Sequence, residues 1–135
     1  MWAIIKVDLK KLDLFNEDLK RRLGNEFRVY IPKISTQIYK KNKLTDKNIP
    51  LLGDYIFCFH KEFNNLKIIE NLKFIKGLKF FLNGHHLSQS EIKAFIDKCK
   101  SLENKKGYIA QSFLNLNLNS FYCFKSGLFT NKIFQ

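Results

Sequence analysis

Asn48-Ile49-Pro50-Leu51-Leu52-Gly53-Asp54 reads as a turn that feeds the strand Tyr55-Ile56-Phe57-Cys58-Phe59. Successive side chains of an extended chain alternate between faces, so Tyr55, Phe57 and Phe59 share one side while Ile56 and Cys58 take the other. Both sides are apolar. Such a strand has to be covered twice, once by the chain's own helices and once by a further element or by a partner macromolecule. What covers the aromatic side therefore bears directly on function.

A chain of 135 residues suits one domain that buries roughly two thirds of its unfolded surface, enough for a core without a metal or a disulfide to hold it. Cys58, Cys99 and Cys123 are odd in number, far apart and without C-x-x-C spacing, so they read as reduced thiols, small apolar core residues of a cytosolic protein. The opening Met1-Trp2-Ala3-Ile4-Ile5-Lys6-Val7-Asp8 has no basic region before its short apolar run, and no apolar run approaches the roughly 18 residues of a membrane span. A cytoplasmic location without membrane insertion is expected.

Charge narrows the partners. The 24 Lys and Arg against 12 Asp and Glu give a net charge of +12, a surface that attracts polyanions. Only Arg21, Arg22 and Arg28 are arginines. Lysine is a point charge rather than a bidentate fork, so contact with a phosphate backbone is favoured over reading of bases.

Alternation and helical spacing take turns along the chain. Trp2 to Val7 reads as a strand. Leu12, Phe15, Leu19 and Leu23 recur at helical intervals from about Lys11, with Gly24 placed as a C-terminal cap. Phe27 to Tyr39 is β-branched and aromatic and carries Pro32, which predicts an edge or bulged strand. The polar run Lys40 to Asn48 predicts a long, mobile hairpin tip before the strand Tyr55 to His60. A short helix is expected around Asn64 to Asn71, and Leu78 to Leu82 as the last strand after the break at Gly77. Ser88-Gln89-Ser90-Glu91 has the form of a capping box, followed by Ile92, Phe95, Ile96, Cys99 and Leu102 on one helical face ending near Asn104. The order is β-α-β-β-α-β-α. It predicts an α+β fold, an antiparallel four-stranded sheet with helices packed on it in the ferredoxin-like arrangement.

Beyond residue 104 the composition changes. Lys105 to Gln135 holds four lysines and no acid, with the alternating run Phe113 to Asn119 and then Phe121 to Phe129. A short C-terminal β hairpin is expected there, either packed on the domain or beginning a second one, since an isolated hairpin is marginal in water. The expected division is a domain over 1–104 and a linker with a short tail over 105–135.

Several segments together resemble a known family. Trp2-Ala3-Ile4-Ile5, Tyr30-Ile31-Pro32-Lys33, Pro50-Leu51-Leu52-Gly53-Asp54-Tyr55-Ile56-Phe57 and Ile75-Lys76-Gly77-Leu78-Lys79-Phe80-Phe81 with the Leu87-Ser88 helix start are similar to the N-terminal domain of NusG-type transcription elongation and antitermination factors (NusG/RfaH-like). The likeness runs from Trp2 to about Asn104. Phe121 to Phe129 is similar to the opening of the KOW domain that follows in that family, with Gly127-Leu128-Phe129 where Gly-Pro-Phe is usual, so the tail is expected to be an incomplete KOW-like segment. The family's Pro-Gly-Tyr or Pro-Asn-Tyr turn is here Gly53-Asp54-Tyr55.

The resemblance implies a factor that rides on RNA polymerase. An apolar patch would grip the clamp helices of the largest subunit, and a second edge would approach upstream non-template DNA and suppress pausing. Carried over position by position, the gripping patch is Ile4, Leu52, Tyr55 and Phe57, with Phe81 a further candidate. The DNA-facing edge is Arg21 and Arg22 at the end of the first helix and Lys76 beside Gly77. From the residues alone, Tyr55 and Phe57 could equally pack under a helix or the tail, and Arg21 and Arg22 could be a solvated helix end that complements the macrodipole.

Enzymatic readings find little support. His60 and the adjacent His85 and His86 read as surface loop residues, with no cysteine or carboxylate at metal-ligand spacing. Glu17-Asp18 reads as an exposed helix face. No phosphate-binding glycine loop and no nucleophile elbow is present in the sequence. No catalytic residue, metal or cofactor is expected, and a monomer is. The competing reading is an RRM-type RNA-binding module, which shares the strand order and the aromatic central strand. That motif places a basic residue and glycine before the aromatic, whereas Asp54 stands there in this chain.

Overall fold

The strand that is apolar on both faces sits inside a four-stranded antiparallel sheet. The structure is a computed structural model that describes residues 1–110. Within it the strands are β1 (Trp2–Val7), β2 (Arg28–Tyr30), β3 (Lys33–Lys40), β4 (Lys43–Pro50), β5 (Tyr55–Phe59), β6 (Leu78–Phe81) and β7 (Ile109–Ala110), and the α-helices are α1 (Leu12–Leu23), α2 (Leu66–Asn71) and α3 (Gln89–Leu102). The class is α+β. The described residues form two compact units, Met1–Tyr30 with Asp54–Gln89, and Ile31–Gly53 with residues 90–110.

The first unit holds the sheet β2-β5-β1-β6, every neighbouring pair antiparallel. Register fixes the faces. Ala3 pairs with Cys58 and Ile5 with both Ile56 and Phe81, so these residues share one side, and Ala3, Ile5, Val7, Ile56 and Cys58 are wholly buried. The unit's helices add Phe15, Leu19 and Ile69 to the core, with Phe63 from the loop before α2, whose ring meets Phe81 edge to face at 5.8 Å. The opposite side carries Trp2, Ile4 and Lys6 of β1, Tyr55, Phe57 and Phe59 of β5, Arg28 and Tyr30 of β2, and Phe80 of β6.

α1 ends where the sequence predicts. Gly24 has φ +79° and donates its N–H to Lys20 O at 2.8 Å, a conformation open to glycine at small cost. Gly77, at φ +81°, is constrained from outside as well, because a Cβ there would lie 3.0 Å from Lys11 O and 3.3 Å from Phe15 Cβ. Its carbonyl accepts from Asp8 N–H at 2.8 Å, which ties the loop before β6 to the entry of α1.

The second unit corrects two expectations. The single strand predicted over Phe27 to Tyr39 is two strands in different sheets. Pro32 has no N–H to donate, so the first ladder stops at Tyr30 and a new one begins at Lys33, in the order β4-β3-β7. The polar run Lys40 to Asn48 is not a long tip. It is most of β4, paired with β3 from Lys33↔Pro50 to Lys40↔Lys43 around a two-residue turn in which Lys41 has φ +52° and Asn42 φ +62°. Two successive residues at positive φ are the signature of a type I′ turn, whose twist matches that of the strands. β7 joins β3 in parallel through Ile34↔Ile109 and Ser35↔Ala110.

In α3, Ile92, Phe95, Ile96 and Cys99 are buried at the helical spacing expected. Its first residue, Gln89, is still part of the first unit, its amide accepting from Trp2 N–H at 2.8 Å and donating to the carbonyls of Trp2 and His85 at 2.6 and 2.7 Å. The KOW-like hairpin and Cys123 lie outside the described residues. Among those residues no helix is long and apolar enough to cross a membrane.

Burial pushes the thiols of Cys58 and Cys99 up to about 12, with Glu103 adding to the effect at Cys99. A neutral buried thiol is unreactive, so neither cysteine should be alkylated by iodoacetamide at pH 8 until denaturant is added. The folded chain keeps these protons above pH 9 whereas an unfolded chain loses them. Stability contributed by each thiol is therefore intact below about pH 9 and falls by about 1.4 kcal/mol per pH unit up to 12. Urea midpoints across that range, compared with those of Cys58→Ala/Cys99→Ala, report the slope, and rapid labelling of the native chain at either position would contradict it.

Candidate functional site

The aromatic side of the first unit's sheet is a ladder of rings with cations laid over them. Trp2 meets Phe59 edge to face at 5.3 Å, Tyr30 stacks on Phe57 at 6.4 Å, and Tyr55 meets Phe80 edge to face at 6.5 Å. Lys6 places Nζ 5.5 Å from the centre of the Tyr55 ring and 5.8 Å from that of Phe80, and the Arg28 guanidinium lies 4.6 Å from the centre of Phe59. A cation over a ring face is attracted by its quadrupole, by about 0.5–1 kcal/mol at an exposed site.

Accessibility divides this ladder. Ile4 and Phe57, at the centre, are 0% exposed. Phe57 is flanked by Ile4 across the ladder on one side and by Tyr30 on the other, and Ile4 O accepts the Leu82 N–H at 2.9 Å. Trp2, Lys6, Tyr30, Tyr55 and Phe59 are half-buried and Arg28 is exposed; Phe80, at 44%, is the most exposed ring of the face, and with Lys6 and Tyr55 it forms an open corner.

The five residues expected to form one open apolar patch therefore do not. Ile4 and Phe57 are sealed, and Leu52, in the second unit, is buried. Phe81 belongs to the other face of the sheet, paired with Ile5 and packed on Phe63. Of the five, Tyr55 alone stands at the open corner. Phe80 completes it, a residue passed over in favour of its neighbour. Adjacent aromatics on a strand always point to opposite faces, and only the register Lys6↔Phe80 decides which of the two shares the side of Tyr55.

Of the three basic residues expected at the DNA-facing edge, two bring their side chains and one its backbone to a single carboxylate. Asp18 in α1 is 8% exposed. Its Oδ2 accepts the Lys76 N–H at 3.3 Å, and its Oδ1 stands 3.8 Å from Arg21 Nη1 and 3.8 Å from Arg22 Nε. Arg22 also donates to Asn71 O at 3.3 Å. Ion pairs of this length at a surface contribute at most about 1 kcal/mol each. One carboxylate does not neutralise both Arg21 and Arg22, and Lys76 reaches it through its backbone N–H alone. Asp18 is thus buried, whereas the sequence suggests an exposed helix face; Glu17 is the exposed member of that pair. The i, i+3 and i, i+4 relation of Asp18 to Arg21 and Arg22 was the available signal.

The histidines also differ from expectation. His60 and His85 are buried rather than in surface loops. His60 Nδ1 accepts from Glu62 N–H at 3.1 Å and His85 Nε2 donates to Phe63 O at 2.9 Å, so the two rings tie down the turn that carries Phe63. His86 is exposed. Among the described residues no three His, Cys, Asp or Glu side chains gather where they could hold a metal ion.

No protein-family model and no curated protein matches this chain. Its functional reading rests on the geometry above and on the segments that carry the resemblance.

Proposed function

We propose that the chain is a NusG-type transcription elongation and antitermination factor of the cytoplasm. In this reading it acts as a monomer, without a cofactor, by docking on the clamp helices of RNA polymerase and reducing pausing from a position near upstream non-template DNA. The observation that carries the reading is the corner of Lys6, Tyr55 and Phe80: an aromatic pair held rigid by its own strands, with a cation laid across both rings. Rigid aromatic anchors supply contact area at low entropic cost, and a few such residues usually dominate an interface. The strand order β2-β5-β1-β6 supports it further, since we read it as the ferredoxin-like order that the resemblance implies. The cations around Asp18 supply the edge suited to a phosphate backbone.

The RRM reading is the weaker of the two. It needs bases stacked along the central strands, where Ile4 and Phe57 are sealed and Trp2, Tyr55 and Phe59 are half-buried, and Asp54 stands where its motif wants a cation.

The test is retention of purified core RNA polymerase by the immobilised chain, followed by a pausing assay. The chain is expected to retain polymerase at moderate salt, and Arg21→Ala/Arg22→Ala/Lys76→Ala to remain bound while losing most of its effect on pausing. Retention of free RNA without polymerase would overturn the proposal in favour of an RNA-binding module.

A further inference from the structure

The second unit contains a pocket that the proposed polymerase contact does not use. Its volume is about 320 Å³, and it is lined by Ser35, Asn48, Asn104, Lys105, Lys106 and Tyr108. Ser35 and Asn48 are cross-strand partners on one face of the β3–β4 hairpin. The remaining four come from the loop between α3 and β7, and that loop is fixed by its own hydrogen bonds. Asn104 Oδ1 accepts from Lys106 N–H at 2.9 Å and from Tyr108 N–H at 3.1 Å, Asn104 N–H donates to Tyr108 O at 2.8 Å, and Gly107 N–H donates to Asn104 O at 3.0 Å. Gly107 has φ +82°, a conformation that a side chain would strain. The two lysines therefore stand on a preformed turn rather than on a free chain end.

We propose that this pocket receives one nucleotide of a single-stranded nucleic acid. The size fits, since small-ligand sites begin at about 300 Å³. The charge fits as well: among the described residues two exposed cations and no carboxylate line the pocket, and ammonium groups bind phosphate as point charges. The half-buried Tyr108 offers a ring on which any base can stack, and the Ser35 hydroxyl and Asn48 amide offer donors and acceptors to its edge. Farther along the same face of the hairpin Tyr39 is 81% exposed, a second ring roughly 13 Å from Ser35 at strand spacing. Two platforms in line with the cations suit a strand whose bases are unstacked. A duplex keeps its bases paired inside and cannot present one to such a pocket. The site shares no residue with the corner of Lys6, Tyr55 and Phe80 or with the group around Asp18.

The test is fluorescence anisotropy of the full chain with labelled 12-mer DNA and RNA single strands. Lys105→Ala/Lys106→Ala is expected to weaken binding at least tenfold near 0.1 M salt, and to reduce the slope of log affinity against log salt by about 1.4, the value for two phosphates on a single strand. Tyr108→Leu leaves the charge unchanged and is expected to weaken binding about tenfold through lost stacking. A cross-link from a 4-thiouridine strand to Tyr108 of the wild-type chain reads the same contact without a substitution. Wild-type affinity in both variants, or loss of binding through Arg21→Ala/Arg22→Ala/Lys76→Ala alone, would overturn the site. So would a nucleoside monophosphate that competes as well as the strand, since the occupant would then be a free nucleotide. Each of these outcomes leaves polymerase retention as it was, so this site and the proposed function fail separately.

Discussion

Phe57→Ala is expected to lower the free energy of unfolding by about 3–5 kcal/mol, the largest effect of any single substitution considered for this chain. The ring is wholly buried, lies opposite Ile4 in the β1–β5 ladder and stacks against Tyr30 at 6.4 Å. Its neighbours are held by backbone pairing, so they cannot collapse into the space that the ring vacates, and the cavity adds to the lost transfer free energy. A domain with 5–15 kcal/mol in total would be left near the edge of unfolding. Tyr55→Ala, half-buried at the start of the same strand, is expected to cost about 1 kcal/mol. Phe57→Leu should recover most of the loss by keeping volume in the site. Urea unfolding followed by far-UV circular dichroism measures all three, and a Phe57→Ala midpoint close to that of Tyr55→Ala would contradict the placement of this ring in the core.

That contrast marks where the sequence was informative. Alternation showed that Tyr55, Phe57 and Phe59 share a face, and the ladder to Trp2, Ile4 and Lys6 bears this out. The helical spacing of Phe15 and Leu19, the glycine after Leu23 and the buried stripe of α3 were equally legible, because each depends on residues within a few positions of one another. Alternation says nothing about depth. Tyr55, Phe57 and Phe59 have the same parity, yet Phe57, between Ile4 and Tyr30, is sealed while the rings at the two ends of the strand stay half-buried.

The misread segments fail for related reasons. The β3–β4 hairpin turns on Lys41-Asn42, without the glycine that usually announces a type I′ turn, and its largely polar β4 looked like a loop because an exposed ladder needs no apolar face. Pro32 was recognised as a ladder breaker, but what it separates is two sheets rather than two halves of one strand. Phe80 was passed over for Phe81 because the register of β6 is set by pairing with β1, across a shift between Lys6 and Val7, and no local pattern encodes it. The resemblance points to Arg21, Arg22 and Lys76, whereas helix periodicity puts Asp18, which meets both guanidiniums and the Lys76 N–H, on a solvent-facing side. Burial of a carboxylate amid cations is a tertiary fact that helix periodicity does not reveal.

The second large effect concerns the open corner. Tyr55 and Phe80 meet edge to face under Lys6, and truncating both removes the two rings while leaving the buried Ile4 and Phe57 in place. Central aromatic anchors commonly cost 2 kcal/mol or more each when cut to alanine, so Tyr55→Ala/Phe80→Ala should weaken polymerase binding by about a hundredfold or more. Loss of stability should be small, about 1–2 kcal/mol, because neither ring is fully buried. The decisive measurement is the affinity of this folded double variant for core RNA polymerase beside that of the wild-type chain, with thermal unfolding recorded on the same samples. The account predicts near-native melting together with loss of polymerase, whereas a well-folded variant that holds polymerase as tightly as the wild type would contradict it.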